Sequence, residues 1–213
     1  MGRWSANEEF KPITFIDLPY VRNEPRCGCE DRRPPWNNPK EVDALVTALS
    51  KLDVVGQVNE SGKPPTLAIL SPYREQVKLI RNKMARADGS LKNLERFDTP
   101  FPDGEYCGTV DSFQGDEADV VVVSLVRNNH HSTPMKALGF LQDDRRMNVL
   151  LSRAKWMMIV VGCLDFYGHV VEFAETQPKT NVGFLKRFLK SLDEAKNAGD
   201  AAIIECGKTG GKQ

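Results

Sequence analysis

The sequence predicts an α/β domain with a mostly parallel central sheet flanked by helices, and three observations carry that prediction. The run Val120 to Val126 is almost wholly apolar and β-branched. It lacks the alternation of a half-exposed strand, as expected of a parallel strand covered on both faces. Trp156 to Gly162 is a second strand-length apolar run that looks buried. Before and between these runs, helical periodicities alternate with short apolar stretches, the order expected of strand–helix units around such a sheet.

Taken in order, residues 1–12 are polar and expected to be loosely held. Ile13 to Leu18 reads as a strand, and Tyr20 to Trp36, rich in Arg, Pro and Cys without periodicity, reads as a loop. Asn38-Pro39-Lys40-Glu41 is a helix start, with a capping Asn, Pro at the first position and Glu at the third. Val42, Leu45, Val46 and Leu49 then form a buried stripe on a helix expected to pack on the sheet without a chemical role. Thr66 to Leu70 is the next strand. Ser71 and Pro72 open another helix with Tyr73, Val77, Ile80, Met84 and Ala87 on one face, followed by an irregular stretch, 88–105.

Thr109 to Arg127 reads as a short strand, a polar turn and a long strand, with Gly115 allowing the tight bend. Asn128 to Met135, which contains His130 and His131, is expected as a mobile surface loop. No Ser, Cys or third ligand is placed in sequence to join those histidines. From Asp143 to Lys155, Met147, Leu150, Leu151 and Ala154 fall at i, i+3, i+4 and i+7 on one helix face, with Asp143 or Asp144 as cap. Arg146 and Arg153, seven residues apart, are expected to project from nearly the same side. A short helix near 165–173 and a last one near 182–196 complete a domain of residues 13–197. Residues 198–213 read as a disordered Gly- and Lys-rich tail. Gly207-Lys208-Thr209 looks like the end of a phosphate loop, but position 202 is Ala where that loop needs glycine, and no helix follows.

Composition narrows the class. Twenty-nine basic residues balance 29 acidic ones, which leaves nucleic acid open, because a neutral protein can carry a basic groove. Five scattered cysteines do not form a disulfide framework, so a reducing, intracellular setting is expected, cytoplasmic or nuclear rather than secreted. Cys27-Gly28-Cys29 is too close for the usual zinc spacing, and no metal site is expected. The longest apolar runs are strand-sized, too short for a membrane span. No Ser-His-Asp or Cys-His set supports a free-standing hydrolase.

Three segments resemble superfamily 1 helicases of the kind that includes the nonsense-mediated-decay helicase, senataxin-like proteins and nidovirus helicases. They are Leu70-Ser-Pro-Tyr-Arg-Glu-Gln76, Val110-Asp-Ser-Phe-Gln-Gly-Asp-Glu-Ala-Asp119 and Gly139-Phe-Leu-Gln-Asp-Asp-Arg-Arg-Met-Asn-Val-Leu-Leu-Ser-Arg-Ala-Lys155. They occur in the family's order within residues 66–163. The resemblance implies the second, C-terminal RecA-like domain of such a helicase: three layers around a mostly parallel sheet, working with ATP and Mg2+ and with single-stranded RNA or DNA. It implies that Arg153 is an arginine finger, and that Gly115, Glu117 and, as a weaker candidate, Arg146 meet the nucleotide. Arg146 can equally pair with a carboxylate to fix its helix. Ser71, Pro72 and Tyr73, with Val110, Asp111 and Ser112, match segments that touch nucleic acid. The chain has no Gly-x-x-x-x-Gly-Lys-Thr loop and no Asp-Glu pair ending an apolar strand. It is therefore expected to need a first RecA-like domain, in cis or in trans, and to be inactive in ATP hydrolysis alone. The alternative is a non-catalytic RecA-like adaptor that binds nucleic acid or protein.

Overall fold

The computed structural model describes residues 10–20, 34–176 and 181–206. Its centre is a six-stranded sheet of β1 (Ile13–Asp17), β2 (Leu67–Ser71), β3 (Cys107–Thr109), β4 (Ala118–Ser124), β5 (Ala154–Gly162) and β6 (Ala201–Glu205). The strand order is β3-β2-β4-β5-β1-β6, and every pairing is parallel. Every residue of β4 is buried. Val120 and Val122 face one apolar cluster, with Val42, Leu45 and Ile80. Val121 and Val123 face the other, with Phe113, Met147 and Phe166. The first cluster lies under helices α1 (Pro39–Lys51) and α2 (Arg74–Ala85). The second lies under α3 (Pro134–Leu138), α4 (Asp144–Leu151), α5 (Leu164–Glu175) and α6 (Gly183–Ala198). This is the three-layer α/β arrangement of a RecA-like fold, and it explains why β4 shows no alternation.

The cap of α1 is as the sequence predicts: Asn38 accepts from the Glu41 amide at 3.2 Å, with Pro39 at the first position. The helix after β2 starts later than predicted. Ser71 is still paired with Thr109 across the sheet, so α2 begins at Arg74 and Tyr73 is its cap residue rather than part of its buried face. The helix from Asp143 stops earlier than predicted. Leu151 is its last residue, and the amide of Ala118 takes the carbonyl of Arg153 at 3.1 Å, recruiting the chain into β5. Ala154 therefore leaves the helical stripe and pairs with Ala118.

The stretch from 198 onward is not a tail throughout. Ala201–Glu205 forms β6, pairing with β1 from Ile13↔Ala201 to Asp17↔Glu205. Four small or apolar residues and Glu205 gain a full ladder once β1 is exposed at the sheet edge, a pairing that no local pattern reveals. Phe10, in the segment expected to be loose, is buried in the first cluster. The segments 1–9 and 207–213, most of the Arg/Pro/Cys-rich loop, and with it Cys27 and Cys29, lie outside the described residues. Among the described residues, no helix is long and apolar enough to cross a membrane.

Gly162, ending β5, is required by contact rather than conformation. A Cβ there would lie 2.5 Å from the Tyr167 hydroxyl and 3.2 Å from the Phe15 ring. Tyr167 and Phe15 are both fully buried. Gly162→Ala is expected to cost about 1–3 kcal/mol through overpacking, read as a lower urea midpoint with unchanged slope.

Candidate functional site

The segment from Val110 to Glu117 joins the C-terminal end of β3 to the N-terminal end of β4 without a full helix. Thr109 is level with Ser71, whereas Val120 is level with Leu67. Ala118, where β4 starts, lies two residues lower still, so the crossover descends the sheet by about six residues, or about 20 Å at roughly 3.3 Å per residue. A single 3-10 turn, Asp111–Phe113, interrupts it. Phe113 is buried in the second cluster and pins the segment to the sheet, with Phe101 at 5.2 Å between ring centroids. The crossover thus has an upper end at the C-terminal edge and a lower end at the N-terminal edge.

Arg153 is at the lower end. The end of α4 and the start of β5 place it there, and its Nε donates to the Val149 carbonyl at 3.0 Å, one of the last carbonyls of that helix. Its Nη1 reaches the Asp116 carbonyl at 3.5 Å. Arg153 is half-buried rather than in the core, and that contact sets it at the Gly115–Glu117 turn. Gly115 has φ +95°, which demands glycine, and nothing lies within 4 Å of a Cβ built on it. Glu117 stands 3.9 Å from Lys155, and both are about half exposed. Such a pair is worth about 0–1 kcal/mol and leaves the carboxylate available. From Ala118↔Ala154 to Val120↔Met157 the register gains one residue in β5, a bulge beside Arg153 and Lys155. Bulges of this kind re-aim neighbouring side chains at a sheet edge.

Arg146 sits at the other end of α4. It lies 3.7 Å from Asp111 and 3.5 Å from Asp143, with its guanidinium 5.4 Å from the centre of the Phe140 ring. The structure thus gives it the carboxylate pairing rather than a place beside Gly115 and Glu117. Arg153, no longer helical, does not share its side. A cavity of about 260 Å3 follows the crossover here, lined by Asp111, Gln114, Arg145 and Arg146.

At the upper end the six residues matched to nucleic acid divide. Ser71 and Val110 are buried, at 0% and 3% exposure. Their side chains cannot meet a ligand, and this corrects the expectation for them: one still belongs to a strand and the other packs beneath the 3-10 turn. Pro72 and Tyr73 are half-buried, and Asp111 and Ser112 are exposed. Ser112 also ties the turn, donating to the Thr109 carbonyl at 2.8 Å. The Tyr73 hydroxyl accepts from the Phe140 amide at 3.3 Å, and the two rings lie 6.2 Å apart. Asp119, within the matched motif, is structural: its Oδ2 accepts from the Thr66 amide and hydroxyl at 2.8 and 2.9 Å.

Sequence reasoning missed a buried polar cluster behind this edge. Glu41, 1% exposed, accepts through Oε2 from the Ser124 hydroxyl at 2.6 Å and the Val126 amide at 2.8 Å. Gln76 donates to Ser124 at 2.8 Å and accepts from the Asn38 amide at 2.7 Å. Val126, with φ +72°, turns the chain sharply after β4. Arg127 then donates through Nε to the Ala137 carbonyl at 2.9 Å and lies 4.7 Å from the Trp36 ring centre. The 128–135 loop is anchored at its start: Asn128 and Asn129 are buried, and Asn129 donates to Ala137 at 3.0 Å, whereas His130 and Ser132 are exposed. The available signal was Gln76, inside a matched motif. Glu41 looked like an ordinary first-turn acid.

The two buried thiols here are not nucleophiles. Burial pushes the Cys107 thiol up to about 12 and that of Cys163 higher still, so both stay protonated at neutral pH.

The profile of the family described as AAA domain matches residues 2–165, more than half of the chain. The chain belongs to that AAA domain family. Within it, its relatives and its fold are those of superfamily 1 helicase RecA-like domains of the nonsense-mediated-decay and senataxin type. It is 38% identical over 121 residues to the regulator of nonsense transcripts 1 homolog of Arabidopsis thaliana, covering 57% of this chain and 8% of that protein. It is 30% identical over 161 residues to Helicase SEN1 of Saccharomyces cerevisiae, covering 75% of the chain and 6% of that protein. To the DNA replication ATP-dependent helicase/nuclease DNA2 of Xenopus laevis it is 30% identical over 160 residues, 74% of the chain and 12% of that protein. The AAA-domain chain thus spans a small fraction of each relative's length.

The lower end fits part of a nucleotide site. A guanidinium and an ammonium suit phosphate oxygens, a carboxylate suits hydroxyl donors, and Gly115 leaves open space beside them.

Proposed function

We propose that this AAA-domain chain is the second, C-terminal motor half of an ATP-dependent superfamily 1 helicase, acting on single-stranded RNA or DNA. Arg153 is its arginine finger, with Gly115 and Glu117 beside it against the nucleotide. The bound ATP and Mg2+ supply the phosphoryl group and its counter-charge, and the phosphate loop comes from a first RecA-like domain. Pro72, Tyr73, Asp111 and Ser112 form the exposed part of the strand track. Arg146 is a positioning residue that ties α4 to the crossover through Asp111.

The observation that carries this reading is the placement of Arg153 beside the Gly115–Glu117 turn at one end of the crossover, with Asp111 and Ser112 at its other end. One short segment would therefore reach both proposed ligands, and closing the nucleotide cleft would shift the track.

The test is reconstitution. The chain alone is expected to show no strand-stimulated ATPase, and the same chain joined to a phosphate-loop RecA-like domain is expected to show it. Robust hydrolysis by the chain alone, or none by the joined pair with ATP bound, would overturn the proposal. In the second case the adaptor reading would replace it.

A further inference from the structure

Arg153 is not alone at the lower end of the crossover. Two residues later, Lys155 lies 3.9 Å from Glu117, and both side chains are about half exposed. The backbone explains why these two meet. Between the paired positions Ala118↔Ala154 and Val120↔Met157, β4 has only Asp119 where β5 has Lys155 and Trp156. Asp119 is 4% exposed and already accepts from the Thr66 amide and hydroxyl at 2.8 and 2.9 Å. The carboxylate level with the bulge is therefore committed to β2, and Lys155 meets the one two residues earlier, on the crossover itself.

At 3.9 Å the ammonium is beyond hydrogen-bond distance, and in open water such a contact adds little to stability. Its setting is unlike that of an ordinary surface pair. Arg153 reaches the carbonyl of Asp116, the residue before Glu117, so two cations flank one short turn. Gly115, in the same turn, has nothing within 4 Å of a Cβ built on it. A glutamate side chain at such an opening rotates about several bonds, and ordering it on binding costs free energy. A cation fixed on a strand narrows that freedom before a ligand arrives. When a closing cleft excludes water, the same pair strengthens as the dielectric falls.

We propose that Lys155 is a positioning residue: it holds the Glu117 carboxylate toward the nucleotide and thereby sets nucleotide affinity, whereas Arg153 sets the rate. The proposal rests on the motor reading of this end of the crossover. A carboxylate is repelled by phosphate oxygens and pairs with hydrogen-bond donors, which an ionised triphosphate lacks. The Glu117 contact is therefore the same before and during phosphoryl transfer. Uniform binding of that kind moves affinity rather than turnover.

The test uses this chain joined to a phosphate-loop domain. Affinity for a non-hydrolysable ATP analogue and ATP turnover at saturating strand are measured separately. Lys155→Met is expected to weaken analogue binding about fivefold, the upper end for a half-exposed pair, with turnover within about twofold of wild type. Lys155→Arg keeps the charge and is expected to restore affinity. Neither substitution reaches the core, because the side chain is half exposed. In a Glu117→Ala background, Lys155→Met is expected to add nothing further, since it acts only through that carboxylate. Wild-type affinity in Lys155→Met overturns the proposal. So does a loss that persists in the Glu117→Ala background, which would make Lys155 a direct phosphate ligand. In both cases, turnover that still collapses in Arg153→Ala leaves the motor reading standing. A joined pair that binds the analogue but does not hydrolyse ATP with strand present overturns that reading, and this proposal with it.

Discussion

Arg153→Ala, in this chain joined to a phosphate-loop domain, is expected to lower strand-stimulated ATP turnover about a thousandfold or more. ATP affinity should change little. As the phosphoryl group is transferred, charge shifts toward the leaving oxygen in the transition state, so a guanidinium placed for that arrangement stabilises it more than the bound substrate. The Val149 and Asp116 carbonyls already orient the side chain, so little ordering remains to be done when the cleft closes. Arg153→Lys keeps the charge but loses the planar fork, and should recover only part of the rate. Steady-state ATPase at saturating strand, with nucleotide affinity measured separately, checks this. Near-wild-type turnover in Arg153→Ala would remove the central residue of the proposed function.

Glu41→Ala is expected to be the most damaging single change to stability away from the apolar core. It removes the acceptor of a buried hydroxyl and a buried amide, at about 1–3 kcal/mol for each group left unsatisfied. It also frees Val126, whose φ of +72° is an outlier for a β-branched residue and persists only where its surroundings hold it. The expected loss is about 3 kcal/mol or more, lowering Tm by roughly 10 °C for a chain of this size. Glu41→Gln retains an acceptor oxygen and should lose distinctly less. Thermal unfolding of the two variants checks the order. Equal, small effects would show that the surroundings hold Val126 without this carboxyl group.

Much of the sheet was legible because its signals are local. The unbroken apolar run of β4 announces two covered faces, and Asn38-Pro39 announces the start of α1, each within a few residues. Three matched motifs led to Arg153, Gly115 and Glu117, which the structure does bring to one edge. The same motifs included Ser71 and Val110, whose burial follows from the pairing of β2 with β3 and from the packing of the 3-10 turn. The helical stripe continued to Ala154, but the backbone does not. Pairing with Ala118 outweighs one more helical residue, and that is what puts Arg153 in a junction facing the crossover.

By itself, then, the sequence determined the layers, most element positions and the family, because periodicity, caps and motifs are written in neighbouring residues. Only the tertiary structure decided that β6 completes the sheet, that Glu41 is an interior anchor, and that His169 shares one cavity with the adjacent pair His130 and His131. Each of these depends on which strands lie side by side, a relation between segments from about 40 to nearly 190 residues apart, and hydrophobic patterning specifies burial without naming the partner.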